Sequence, residues 1–137
     1  MIEITDDTID PRAVEASVSH DGAGAVITFH GVTRDNFGGR PVSGLSYEVY
    51  PEMALKEMRA IAAEAQARWP GARVAMVHRD GVLTVGEVSV VISTSAPHRD
   101  ECYQASRFAI DALKARVPIW KKEHYADGEA DWKANKT

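Results

Sequence analysis

Residues 87–125 read EVSVVISTSAPHRDECYQASRFAIDALKARVPIWKKEHY, and this stretch decides the fold. Its first nine residues, 87–95, are dense in β-branched side chains and predict the strongest strand of the chain. Pro97-His98 then leads into a long helix. Its inward stripe is Cys102, Ser106, Ala109, Ile110, Leu113 and Val117, which recur at three and four. Pro118 ends that helix, because proline lacks an amide donor and drives the preceding residue towards an extended conformation. Residues 119–125 therefore read as extended. Lys114 and Lys121 are seven apart and would align on one continuous helix. The proline breaks that helix, so only a turn of the chain can bring them together.

Working outward, residues 2–4 suit a short edge strand. Asp10 and Pro11 read as an N-cap followed by proline at the first helical position, with the helix running to about Val18. Residues 25–32 (AVITFHGV) predict a strand. Residues 33–41 (TRDNFGGRP) are polar and glycine-rich and are expected to form a mobile loop. Leu45, Tyr47 and Val49 alternate within a strand over residues 42–50. Pro51 opens an amphipathic helix with Ala54, Met58, Ile61, Ala62 and Ala65 inward, ending at Trp69-Pro70-Gly71. Over residues 73–78, Val74, Met76 and His78 alternate against Arg73, Ala75 and Val77. Residues 82–85 form a short strand. The order β, α, β, β, α, β, β, β, α, β predicts an α+β sandwich, with helices on one face of a mixed or mainly antiparallel sheet. No linker or repeat divides residues 1–137, which are expected to form one domain.

The chain has 137 residues and a mass of 15.0 kDa, enough for one core. Its 16 basic and 20 acidic residues give a formal charge of −4, against the strongly basic balance of a general nucleic-acid binder. The single Cys102 cannot form an internal disulfide and excludes a cysteine-rich zinc site. No His-Glu-x-x-His or Cys-x-x-Cys set occurs, so neither a metal nor another cofactor is expected. Cys102 lies on the inward helix stripe and reads as a buried structural thiol. No apolar run is long enough to cross a membrane, and no signal peptide is visible at the start. A cytoplasmic location is expected.

Three features point to chemistry. Leu113–Lys122 carries Lys114, Arg116, Lys121 and Lys122 with no acid, a positive island in an acidic chain. Lysines at a helix C-terminus also complement its dipole. His98 and Arg99 stand at the start of the long helix, where free amides and the positive dipole end suit an anion. Arg34 follows the strand over residues 25–32 and can grip a phosphate bidentately or pair with an acid such as Asp35. Together these describe a basic pocket for a small anion, in which lysines act as acids, bases or charge stabilisers.

Phe29-His30-Gly31-Val32-Thr33-Arg34, Leu45-Ser46-Tyr47-Glu48-Val49-Tyr50, His78-Arg79-Asp80-Gly81, Ala96-Pro97-His98-Arg99 and residues 113–123 (LKARVPIWKKE) occur in that order. With Gly128 and Trp132, the set resembles the large, catalytic subunit of molybdopterin synthase. The resemblance implies an α/β hammerhead fold with a small β subdomain. It implies a sulfurtransferase that inserts two sulfurs into cyclic pyranopterin monophosphate to form the dithiolene of molybdopterin. The sulfur donor is a small ubiquitin-like partner with a C-terminal thiocarboxylate, in a heterotetramer built on a homodimer of the large subunit. The family's catalytic lysines fall on Lys114 and Lys121. Its substrate contacts fall on Arg34, His98, Arg99 and Lys121. Some members carry an arginine after the C-terminal tryptophan that reaches the neighbouring protomer. Here Lys136 or Lys133 is the candidate for that trans contact, without arginine's fork of donors. Residues 87–95 and the C-terminal segment are candidates for the dimer interface. The competing readings are a non-catalytic adaptor for a ubiquitin-like tail and a small-metabolite sensor.

Overall fold

The computed structural model describes residues 1–128 and 130–136. A four-stranded mixed sheet has the order β1-β5-β7-β2, from β1 (Ile2–Thr5), β5 (Arg73–Arg79), β7 (Val88–Ala96) and β2 (Ala25–Val32). Only the β1–β5 pair is parallel. A second, antiparallel sheet is built around β4 (Arg40–Val49), which pairs with β8 (Ile119–Tyr125) and with β6 (Gly81–Thr84). The two-residue β3 (Asn36–Phe37) pairs with the start of β4, and β9 (Trp132–Ala134) lies outside β8.

Helices α2 (Pro51–Arg68) and α3 (Arg99–Arg116) share one face of the first sheet. Met58 and Ile61 of α2 and Ala109 and Leu113 of α3 pack on Met76, Val90 and Ile92. Removing this apolar surface from water is the main force that joins the layers. Arg116 ties the two helices at their margin, with contacts of 2.7 Å to Glu57 and 2.6 Å to Glu64.

The α+β class and the mixed sheet agree with the sequence reading, while three details differ. Helix α1 (Pro11–Val18) takes the opposite face, where Val14 and Val18 pack on Ala75, Val77 and Val91. The reason is the period of two. Ala75 and Val77 point away from Met76, so both faces of β5 are apolar and both need cover. Residues 33–41 are not an open loop. Gly38 (φ 57°) and Gly39 (φ 81°) make a tight turn that pairs Asn36–Phe37 with Arg40 and Pro41. Strand β7 is paired on both sides and buried over residues 89–96, so it offers no edge for a dimer interface.

Candidate functional site

Helix α3 stops after Arg116. Val117 is extended (φ −80°, ψ 128°), and its amide donates to the Leu113 carbonyl at 3.1 Å. Pro118 cannot extend the helical ladder, so the chain passes straight into β8. Lys114 thus stands on the last turn of α3, while Lys121 enters from a strand. Alternation along β8 buries Ile119, Lys121 and Glu123 and turns Trp120 outward. The register sets Lys121 opposite Tyr47 and Glu123 opposite Leu45.

Arg34, Lys114, Lys121 and Glu123 line one pocket of about 200 Å³, with Phe37, Tyr47 and Ser89 among its walls. Phe37 gathers the positive charge. Lys133 Nζ lies 3.7 Å from its ring centroid, Lys121 Nζ 5.6 Å and the Arg34 guanidinium carbon 5.9 Å. An aromatic face attracts cations electrostatically at such distances. Glu123 is the counter-ion. Its buried carboxylate lies 2.9 Å from Lys133 Nζ and 3.7 Å from Lys121 Nζ.

Charge crowding in a partly dry site sets the proton affinities. Burial, and then the neighbouring Lys121 charge, lowers the Lys114 ammonium from 10.5 to about 8. Burial also lowers Lys121. Glu123 opposes that shift, while Lys133 and Arg34 add to it. Near neutral pH, Lys114 is a charged group with an accessible neutral form, suited to both giving and taking a proton.

Behind Lys114 lies a buried polar line. Lys114 Nζ donates to Asn135 Oδ1 at 3.0 Å, and Asn135 Nδ2 lies 3.4 Å from His78 Nε2. His78 Nδ1 lies 2.7 Å from the Arg79 carbonyl. That carbonyl can only accept, so Nδ1 carries the proton and Nε2 accepts from the amide. His78 is fully buried and makes an edge contact with Tyr47, ring centroids 5.0 Å apart.

Of the residues singled out from the sequence, Arg34, Lys114 and Lys121 meet in this pocket. His98 and Arg99 do not join them within the chain. They are exposed at the other end of α3, where His98 Nδ1 lies 3.6 Å from Glu101 Oε1. The rise of the helix puts Arg99 about 22 Å from Lys114. Lys133 turns into its own chain, onto Glu123 and Phe37. Lys136 Nζ lies 3.4 Å from the Ala115 carbonyl at the end of α3. Cys102 is buried as expected, with Sγ 3.2 Å from the Thr94 carbonyl.

The sequence reading missed Phe37, Glu123, Asn135 and the role of His78. His78 left a signal, being in phase with Val74 and Met76 and so directed at the core. Among the described residues, no cluster of three or more His, Cys, Asp or Glu could hold a metal ion. No helix among them is long and apolar enough to cross a membrane.

Residues 4–116 match the family model described as MoaE protein. The chain is 47% identical over 138 residues to molybdopterin synthase catalytic subunit 1 of Aedes aegypti, covering 98% of this chain and 89% of that one. It is 52% identical over 112 residues to the molybdopterin synthase catalytic subunit of Halalkalibacterium halodurans, covering 82% and 72%. Among solved structures, the molybdopterin synthase of Staphylococcus aureus superposes with a TM-score of 0.91 at 36% identity, covering 96% of this chain and 95% of that one.

Proposed function

The chain belongs to the MoaE protein family, and from that premise we propose that it is the catalytic subunit of a molybdopterin synthase. Its reaction is sulfur transfer from the thiocarboxylate of a small ubiquitin-like subunit to cyclic pyranopterin monophosphate. The observation that carries this reading is the meeting of Arg34, Lys114 and Lys121 around one pocket, with the Lys114 pKa brought to about 8.

The physical problem of the reaction is that donor and acceptor are both anionic. Arg34 and Lys121 offset that repulsion and hold the substrate phosphate and the partner's tail at the pocket. The thiocarboxylate sulfur attacks a side-chain carbon of the substrate as a carbon–oxygen bond at that carbon breaks and its oxygen leaves with a proton. Water then cleaves the acyl–sulfur bond, leaving the sulfur on the substrate and a carboxylate on the small subunit. Lys114 supplies or removes the proton at the reacting centre, because its amine exchanges protons near neutral pH. His98 and Arg99 cannot reach the pocket of their own chain. They serve as substrate contacts by entering the pocket of a second copy, which accords with a homodimer inside a heterotetramer. The same role for Lys133 is disfavoured by its pairing with Glu123 in cis.

The test is reconstitution of the chain with a thiocarboxylated small subunit and cyclic pyranopterin monophosphate. Dithiolene product should form and should fall by more than about 100-fold in Lys114→Ala, with small-subunit affinity retained. Native turnover in that variant would remove Lys114 from the mechanism. A stable complex that yields no product with the native chain would favour the adaptor reading.

A further inference from the structure

We infer that Asn135, itself oriented by His78, is the positioning residue for the Lys114 amine. The inference rests on the reading of Lys114 as the reacting lysine. Each link in the buried line has only one workable polarity. The Arg79 carbonyl accepts from His78 Nδ1, which leaves His78 Nε2 as an acceptor. Asn135 must then present its Nδ2 to the ring, and this fixes the amide so that Oδ1 faces Lys114. The backbone holds the amide as well, since the Asn135 N–H donates to the Ile119 carbonyl at 3.0 Å. One ammonium proton of Lys114 is committed to Oδ1, and the other two are left for the pocket.

The residue types suit this task. A carboxylate at position 135 would hold Lys114 in its charged form and would face the lone pair of Nε2. A neutral amide orients the amine without an added charge. His78 keeps its polarity across the working range, because burial and the Lys114 charge lower its pKa to about 4. The same line explains why a polar ring is kept at a core position beside Met76 and Val90.

The test uses the chain with its thiocarboxylated small subunit and cyclic pyranopterin monophosphate. In Asn135→Ala, kcat should fall about 10- to 100-fold, with KM within about twofold and small-subunit affinity unchanged. His78→Gln retains one donor and one acceptor and should keep most of the turnover, whereas His78→Leu should behave like Asn135→Ala. A readout independent of turnover is the titration of the Lys114 Nζ resonance. Asn135→Asp places a carboxylate against the amine and should raise its midpoint by about one pH unit or more. Arg34, Tyr47, Lys121 and Glu123 line the pocket with Lys114, Lys133 pairs with Glu123, His78 stands behind Asn135, and Arg116 and Lys136 line the cleft on the far side; this substitution removes none of them. Turnover of Asn135→Ala within twofold of native, or an unmoved Lys114 midpoint in Asn135→Asp, would overturn the assignment. Full activity in Lys114→Ala would instead overturn the reading beneath it, while the titration would still report whether Asn135 sets the state of the amine.

Discussion

Lys114→Met should make the protein more stable near neutral pH, by an amount that shrinks and reverses as the pH rises. Burial and the Lys121 charge lower the Lys114 pKa from 10.5 to about 8. One pH unit of displacement corresponds to about 1.4 kcal/mol, so keeping this ammonium charged costs the fold about 3 kcal/mol at pH 7. Methionine is of similar length and removes that cost. It also strips Asn135 Oδ1 of its 3.0 Å donor, a loss of about 1 kcal/mol. The net gain at pH 7 is about 2 kcal/mol. Below about pH 8 both folded and unfolded native chains hold the proton, and the penalty is complete. Between about pH 8 and 10.5 the unfolded chain keeps a proton that the folded chain has released, so native stability rises with pH. Above about pH 10.5 the penalty is gone, and the variant should be weaker by about 1 kcal/mol. Urea unfolding of both proteins at about pH 7, 9 and 10.5, followed by tryptophan fluorescence, measures the difference. A variant no more stable than the native chain at neutral pH, or a difference that does not change with pH, would refute the reasoning.

Two further outcomes are expected. Phe37→Leu keeps the apolar wall but removes the ring face that gathers Lys133, Lys121 and Arg34. Steady-state kinetics should show KM for the anionic substrate rising about two- to fivefold with kcat little changed; a kcat collapse at constant KM would contradict this. Gly44→Ala puts a β-carbon onto the Leu83 carbonyl oxygen, where β4 and β6 pair. Denaturant midpoints should report a loss of about 1–3 kcal/mol, and an unchanged midpoint would show that the strands part without strain.

The parts of this molecule that were legible in the sequence are those set by local chemistry. Pro118 ends α3 and forces Lys114 and Lys121 onto different elements, and both residues line the pocket. The alternation of Val74, Met76 and His78 sets the inner face of β5, although it does not say what the imidazole does there. The hairpin at Gly38-Gly39 was hidden by its polarity, since neither of its short arms has an apolar pattern of its own. Strand β9 has three residues and exists only because β8 offers an edge, so no local pattern marks it. The same gap concealed Asn135. The resemblance points to Lys133 and Lys136, while the uncharged residue between them reaches Lys114. Charge alone groups His98 and Arg99 with the lysines in one basic pocket, although an 18-residue helix separates the two ends within one chain.

Strand β9 also has a bearing on how the protein is made and handled. Lys114 is synthesised 21 residues ahead of Asn135, whose amide oxygen accepts from its amine. During translation both sheets can therefore assemble around an amine that still lacks its anchor. A stop codon shortly after Tyr125 would spare every helix and, among the described residues, every strand except β9. The shortened chain would be easy to mistake for a sound protein by expression level or circular dichroism. Affinity tags and reporter fusions belong at the opposite end of the chain, and recombinant batches should have their last residues verified by intact mass before their turnover is compared.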